Sequence, residues 1–141
     1  MTRVLLVLAA SCSLGGDEHS PREGLSWLKG NTHAHSLWSD GNAPPEEVVY
    51  WYDERGYDFL ALTEHNIIAD HEKWFPIQEV GRLKPGEVDN LTASFGADWV
   101  DVRSQEDVTE MRLKTLDDIR ERLHSDNSRL LLITSEELTD S

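Results

Sequence analysis

The sequence predicts an α/β fold built on a parallel sheet, and three apolar runs carry that prediction. Residues 59–63 (FLALT) and 129–134 (RLLLIT) are continuous apolar runs of the kind found in buried parallel strands. A shorter strand-like run at residues 27–32 opens the series. A helix-like segment precedes each of the two later runs. Strands and helices therefore alternate, which is typical of βα-repeat folds.

Each helix has its own start and stop signals. The first begins at Pro44-Pro45-Glu46-Glu47, because proline and negative charge suit a helix N-terminus, and Gly56 is a natural stop. The second begins after Thr115 as N-cap and runs to about residue 124. The intervening insertion, residues 70–112, has a weaker pattern, in which residues 99–103 and 108–113 could pair as a hairpin.

The N-terminus has the layout of a signal peptide. A basic start is followed by an apolar run at residues 4–10, which is too short to span a bilayer, and then by Cys12. Residues 1–12 resemble a bacterial lipoprotein signal with a lipidated Cys12; plain secretion and an uncleaved N-terminus are the alternatives. Residues 13–24 have the composition of a linker. We therefore expect a domain at 25–141, secreted or held at the cell envelope or periplasm, contacting membrane only through this anchor.

The charge balance narrows the choice of partners. The chain has 27 acidic residues against 13 Lys and Arg, a formal net charge of −14. Such a field repels phosphate backbones, so we expect no specific nucleic-acid binding, and it favours bound cations.

Residue types that bind metals follow each predicted strand. Since the C-terminal ends of parallel strands meet at one edge of a sheet, these groups should converge there. Residues i and i+2 of an extended chain face the same side, so a His-x-His pair can turn both rings to one cation. Histidine mixed with carboxylate suits a catalytic cluster better than a structural zinc site. Each group alone is commonplace, but the three together predict a metal site: His33, His35 and Asp40; Glu64 and His65; Glu136 and Glu137.

The same segments resemble a known family. Residues 30–36 (GNTHAHS), 39–41 (SDG), 45–47 (PEE) and 56–66 (GYDFLALTEHN) resemble the opening of a PHP (polymerase and histidinol phosphatase) domain. Residues 131–139 resemble that family's third motif, Gly-x-Glu-hydrophobic-Ser/Thr. That family opens with His-x-His-Ser and Ser-Asp-Gly, followed by a strand that ends in Thr-Asp-His-Asn. The resemblance implies the N-terminal part of a distorted (β/α)7 barrel, which we expect to be incomplete in this chain because the family's later ligands are not present.

The resemblance also implies roles for individual residues. His33 and His35 would bind one metal ion, Asp40 and His65 another, and Glu137 would bridge them. Glu136 is the alternative bridge, because Ser135 stands where the family motif has glycine. Glu64 replaces the family's aspartate, as a ligand or as a support for the ligands. The catalytic set implied is His33, His35, His65 and Glu137.

The function implied is hydrolysis of a phosphoester. The cofactors would be two or three Zn, Mn or Fe ions, and the substrate a phosphorylated small molecule or a phosphodiester. The alternative is a non-catalytic or truncated module, tethered at the cell envelope, that binds a metal or a partner without turnover.

Overall fold

The computed structural model describes residues 26–140, which form a mixed α/β fold with two three-stranded sheets. The predicted signal peptide, Cys12 and the linker lie outside these residues, so they and the expected location remain predictions. The elements in chain order are β1 (Gly30–Asn31), α1 (Pro45–Asp53), β2 (Phe59–His65), β3 (Trp74–Pro76), α2 (Pro85–Phe95), β4 (Val102–Gln105), β5 (Val108–Arg112), α3 (Leu116–Ser125) and β6 (Leu131–Glu137).

The first sheet is parallel, with strand order β1-β2-β6. Its two longer strands run in register from Phe59 opposite Leu131 to His65 opposite Glu137. The parallel pairing predicted for the two apolar runs is therefore confirmed. The strands of residues 26–140 do not close into a barrel, so membership of a barrel remains a prediction.

Strand β1 is shorter than predicted. Only Gly30 and Asn31 pair with β2, whereas the sequence pattern indicated residues 27–32. Asn31 ends the strand because its Oδ1 accepts a hydrogen bond from the amide of His33 at 3.1 Å, which turns the chain. Glycine is required at position 30, since a Cβ there would lie 2.0 Å from the ring of Phe59.

Both predicted helices are present with the expected boundaries. α1 begins at Pro45, and Gly56 beyond its end adopts a φ of 65°. Thr115 caps α3: its hydroxyl accepts from the amide of Asp118 at 3.1 Å, and the Asp118 carboxylate accepts from the amide of Thr115 at 2.9 Å.

The insertion after β2 carries the second sheet, which is antiparallel with order β3-β5-β4. The predicted hairpin is confirmed as β4 and β5, but β4 begins three residues later than expected and continues through Gln105, into the predicted turn, while β5 ends one residue early. Strand β3 and helix α2 were not predicted. The signals for α2 are nevertheless present, since Pro85 opens it and Gly96 ends it with a φ of 94°.

The core lies around β2, whose middle residues are all buried. Leu60 and Leu62 belong to one apolar cluster with Val49 of α1 and Ile119 of α3. Trp38, in the loop after the histidine pair, is also buried there, and its Nε1 donates to the carbonyl oxygen of Lys114 at 2.9 Å. This bond ties the loop between β1 and α1, residues 32–44 (the histidine loop), to the segment between β5 and α3. Within residues 26–140, no helix is both long and apolar enough to cross a bilayer.

Candidate metal centre

The sheet brings two site residues together directly. His65 and Glu137 are register partners at the C-terminal ends of β2 and β6. Just beyond them, the amide of Asn66 donates to the carbonyl oxygen of Glu137 at 2.9 Å. The Asn66 side chain continues the link: Nδ2 donates to Thr139 Oγ1 at 2.7 Å, and Oδ1 accepts from the Thr139 amide at 3.0 Å. The two strand ends are therefore held at a fixed separation.

The histidine pair reaches the same place from β1. The amide of Thr63 donates to the carbonyl oxygen of Ala34 at 2.8 Å, so the segment that follows β1 still runs beside β2. His33 and His35 flank Ala34 and turn their rings to the same side. Their Nε2 atoms lie 2.9 Å apart, and the ring of His35 stacks on that of His65 with centroids 4.7 Å apart.

Glu137 is the centre of the first group of candidate ligands. Its Oε2 lies 3.3 Å from Nε2 of His35, 3.4 Å from Nε2 of His33 and 3.8 Å from Nδ1 of His65. The atom is buried and yet has no hydrogen-bond partner among the described residues, because none of these close nitrogens is aligned as a donor. A buried carboxylate oxygen without a donor is costly unless something else neutralises it. His33, His35 and this oxygen form a group that could hold a metal ion.

Asp40 is the centre of the second group. Its Oδ1 lies 3.2 Å from Nδ1 of His35, and its Oδ2 lies 3.3 Å from Nε2 of His65. Desolvation acts to raise the pKa of Asp40, but the nearby His65 and His35 rings and hydrogen bonds outweigh it and hold the pKa below its usual value. The carboxylate is therefore ionised, as a metal ligand must be.

His35 belongs to both groups. One group comprises His33, His35 and Glu137, the other His35, Asp40 and His65, and within each the ligand atoms lie within 4.8 Å of one another. A neutral imidazole has one protonated and one free nitrogen, so His35 can offer a cation only one of them. If Asp40 holds the proton on Nδ1, then Nε2, which faces Glu137 and His33, is the free one.

Two residues of the predicted set do not join these groups. The Glu64 side chain is buried beneath the histidine loop, where Ser36 and Ser39 surround it. Glu136 is exposed, because successive residues of a strand point to opposite faces and Glu137 takes the face of the site. Of the two glutamates left open by the sequence, the structure brings Glu137 to the histidines.

Sequence reasoning missed the residues that hold the site in shape. Asn66 was noted only as part of a motif, and its φ of 51° is the signal of a special turn position. Arg82 lies in the insertion, where no pattern pointed to it. Its Nη1 donates to the carbonyl oxygens of Ser39 at 2.6 Å and Gly41 at 3.0 Å, on either side of Asp40.

Comparison with known proteins gives a partial likeness. The chain is 30% identical over 71 residues to the DNA polymerase/3'-5' exonuclease PolX of Bacillus subtilis (strain 168). The matched stretch covers 50% of this chain and 12% of that protein's length. No family model matches the chain, and no solved structure matches it. The likeness to this polymerase agrees with the resemblance of the sequence motifs to PHP domains. It covers a small part of the polymerase.

Proposed function

We propose that this chain carries the metal centre of a PHP-like hydrolase that acts on phosphoesters outside the cytoplasm. The observation that carries the proposal is the buried Oε2 of Glu137, which faces three imidazoles and accepts no hydrogen bond from the described residues. Carboxylate and imidazole together form a ligand set for Zn, Mn or Fe. The residues that would hold the ions are His33, His35, Asp40, His65 and Glu137.

The arrangement of the ligands supports more than one ion. Glu137 lies within 3.8 Å of histidines from both groups, which suits a bridging carboxylate. Asp40 lies beside Nδ1 of His35, whereas His33 lies beside Nε2 of the same ring. The side chains of His33 and Asp40 are also 62% and 68% exposed, so a substrate has access to the centre.

Phosphoester hydrolysis is the reaction that best suits this centre. When bound, divalent ions neutralise negative charge on phosphoryl oxygens and so lower the barrier to attack by water. The chain's own residues would hold the ions: Glu137 and Asp40 would supply negative charge, and the histidines would supply neutral nitrogens. PolX is a 3'-5' exonuclease by name, which supports a phosphodiester as one substrate class. The net charge of −14 favours a small phosphoester over a long polyanion.

The test is metal content together with hydrolysis by the full chain. The metal-free protein is loaded with Mn, Zn or Fe, and bound metal is counted by elemental analysis. Release of nitrophenol from bis(4-nitrophenyl) phosphate and from 4-nitrophenyl phosphate is then followed. We expect tight binding of at least one ion and metal-dependent release from one of the two substrates.

Two histidine variants test whether the candidate ligands are responsible: one removes a candidate ligand, and the other is the matched control. His35→Ala should abolish both binding and release, because His35 belongs to both groups, whereas His124→Ala, an exposed position in α3, should change neither. Binding without release from either substrate, in every metal, would favour the alternative of a non-catalytic metal-binding module. Absence of bound metal would refute the proposal.

A further inference from the structure

Glu64 is a buried carboxylate that holds the histidine loop from below. The residue is 1% exposed, at the end of β2. Its Oε1 accepts from the amide of Ser36 at 2.9 Å and from the Ser36 hydroxyl at 2.5 Å. Its Oε2 accepts a short hydrogen bond from the Ser39 hydroxyl. Both oxygens are therefore occupied by donors from the loop, and neither belongs to a group of candidate metal ligands among the described residues.

Ser39 connects this carboxylate to the metal centre. Its Oγ, which donates to Glu64, also lies 3.4 Å from Nδ1 of His35 and 3.5 Å from Oδ1 of Asp40. His35 and Asp40 are two of the three candidate ligands that this loop carries, the third being His33. A charge-assisted hydrogen bond from Ser39 to Glu64 fixes the direction of the serine hydroxyl. Because the one hydroxyl proton points to Glu64, the serine turns its oxygen lone pairs to His35 and Asp40.

The surrounding residues make Glu64 the central support of the loop. Lys73 donates from Nζ to the carbonyl oxygen of Trp38 at 2.5 Å, and its positive charge interacts favourably with Glu64. Arg82 holds the carbonyl oxygens on either side of Asp40. These two residues bind the main chain, whereas Glu64 is linked through Ser39 to the ligand side chains. Groups that orient metal ligands in this way commonly change metal affinity about 10- to 100-fold when they are removed.

We infer that Glu64 is a positioning residue of the metal centre, which acts through Ser39 on His35 and Asp40 and does not itself bind an ion. The inference rests on the proposed function, because it needs a metal at the histidines. It gives Glu64 a role different from that of Glu137, although both are glutamates at the ends of neighbouring strands.

The experiment is a titration of the metal-free full chain with Co²⁺, which reports affinity, stoichiometry and the ligand-field spectrum together. Glu64→Gln keeps the shape of the side chain and removes its charge. We expect unchanged stoichiometry and band positions with a dissociation constant raised about 10- to 100-fold. The matched control is Glu136→Gln, the register partner of Glu64 on β6, whose exposed side chain should leave the dissociation constant unchanged.

A double-mutant cycle separates action through Ser39 from a general loss of stability. Ser39→Ala removes the hydroxyl between Glu64 and the ligands. If the two residues act in one chain, the double variant should bind Co²⁺ about as weakly as Glu64→Gln alone. Ser39→Thr keeps the hydroxyl and should restore binding. If Glu64→Gln does not fold, as judged by circular dichroism, the comparison of Ser39→Ala with Ser39→Thr decides the matter.

The outcomes distinguish this inference from the proposed function. A wild-type chain that binds no Co²⁺ contradicts the metal centre itself. A wild-type chain that binds, with a Glu64→Gln variant of equal affinity, contradicts only the positioning role. Loss of one equivalent of Co²⁺ or shifted bands in Glu64→Gln would make Glu64 a ligand and would also overturn the inference.

Discussion

The main-chain amide of Asn66 donates to the carbonyl oxygen of Glu137 at 2.9 Å, across the ends of two parallel strands. The bond comes one residue after His65, so it fixes the spacing between a histidine and the carboxylate that faces it. Asn66 also adopts a left-handed conformation with a φ of 51°, which ends the extended conformation of β2. A single residue thus ends β2 and sets the geometry of the candidate ligands.

The first prediction concerns this clamp. Asn66→Gly removes the two side-chain hydrogen bonds to Thr139 but permits the positive φ, so the free energy of unfolding should fall by about 1–2 kcal/mol. Asn66→Ala adds the cost of a left-handed alanine and should be worse by roughly 1 kcal/mol. Urea denaturation of both variants measures the difference. Equal stability of the two variants would show that residue 66 does not keep its left-handed conformation.

The second prediction concerns Glu137. Glu137→Gln keeps the size of the side chain and removes the negative charge that the three imidazoles face. The affinity for Zn²⁺ should fall by more than about 100-fold, beyond the loss expected for a residue that only orients ligands. The rise of the thermal midpoint on adding Zn²⁺ should disappear with it, since ligand binding stabilises by mass action. A retained rise would exclude Glu137 as a ligand.

The third prediction concerns the glycine of the Ser-Asp-Gly segment. A Cβ on Gly41 would lie 2.6 Å from the Cα and amide nitrogen of Ser36, both main-chain atoms that cannot move aside cheaply. Gly41→Ala should therefore shift the loop that carries Asp40, lower stability by about 1–3 kcal/mol and weaken metal binding.

Gly86 provides the control for this change. It lies in α2, and a Cβ added there would meet no atom within 4 Å, so Gly86→Ala should be neutral or slightly stabilising. Thermal unfolding and Co²⁺ titration of the two variants compare them directly. If Gly41→Ala matches Gly86→Ala in both measurements, the loop is not constrained as described.

The fourth prediction concerns the pH dependence of stability. Burial raises the pKa of Glu46 from 4.5 to about 7, although Trp99 donates a hydrogen bond to its Oε1 at 3.0 Å. Between these pH values the folded chain retains a proton that the unfolded chain has released. Stability is therefore lost as the pH rises from about 4.5 to 7, by an amount on the order of 3 kcal/mol.

Glu46→Gln tests this assignment, because it cannot titrate. The free energy of unfolding of the variant, minus that of the wild type, should increase by roughly 3 kcal/mol between about pH 4.5 and pH 8. Glu54→Gln, at an exposed position beyond the end of the same helix, is the matched control for the loss of a carboxylate. If the difference in free energy of unfolding between Glu46→Gln and the wild type does not change with pH, the Glu46 side chain is solvated.

The candidate site was largely predictable from the sequence, while its supports were not. His33, His35 and His65 follow strand-like runs, and the rule that parallel strands end at one edge was enough to group them. Glu64 lies near the end of its strand, where a metal ligand is also expected. Only the packing shows that its carboxylate points to Ser36 and Ser39. Local pattern gives the end of a strand and not the donors that surround a side chain there.

The sequence by itself determined the parallel pairing of the apolar runs, the limits of α1 and α3, and the residue types that gather at the strand ends. These depend on local periodicity and chain direction, which short segments encode. The tertiary structure alone decided that Glu137 and not Glu136 faces the histidines, that Glu46 is buried, and that Arg82 of the insertion holds the Asp40 loop. Those outcomes depend on strand register and on contacts between distant segments, which form only when the whole fold packs.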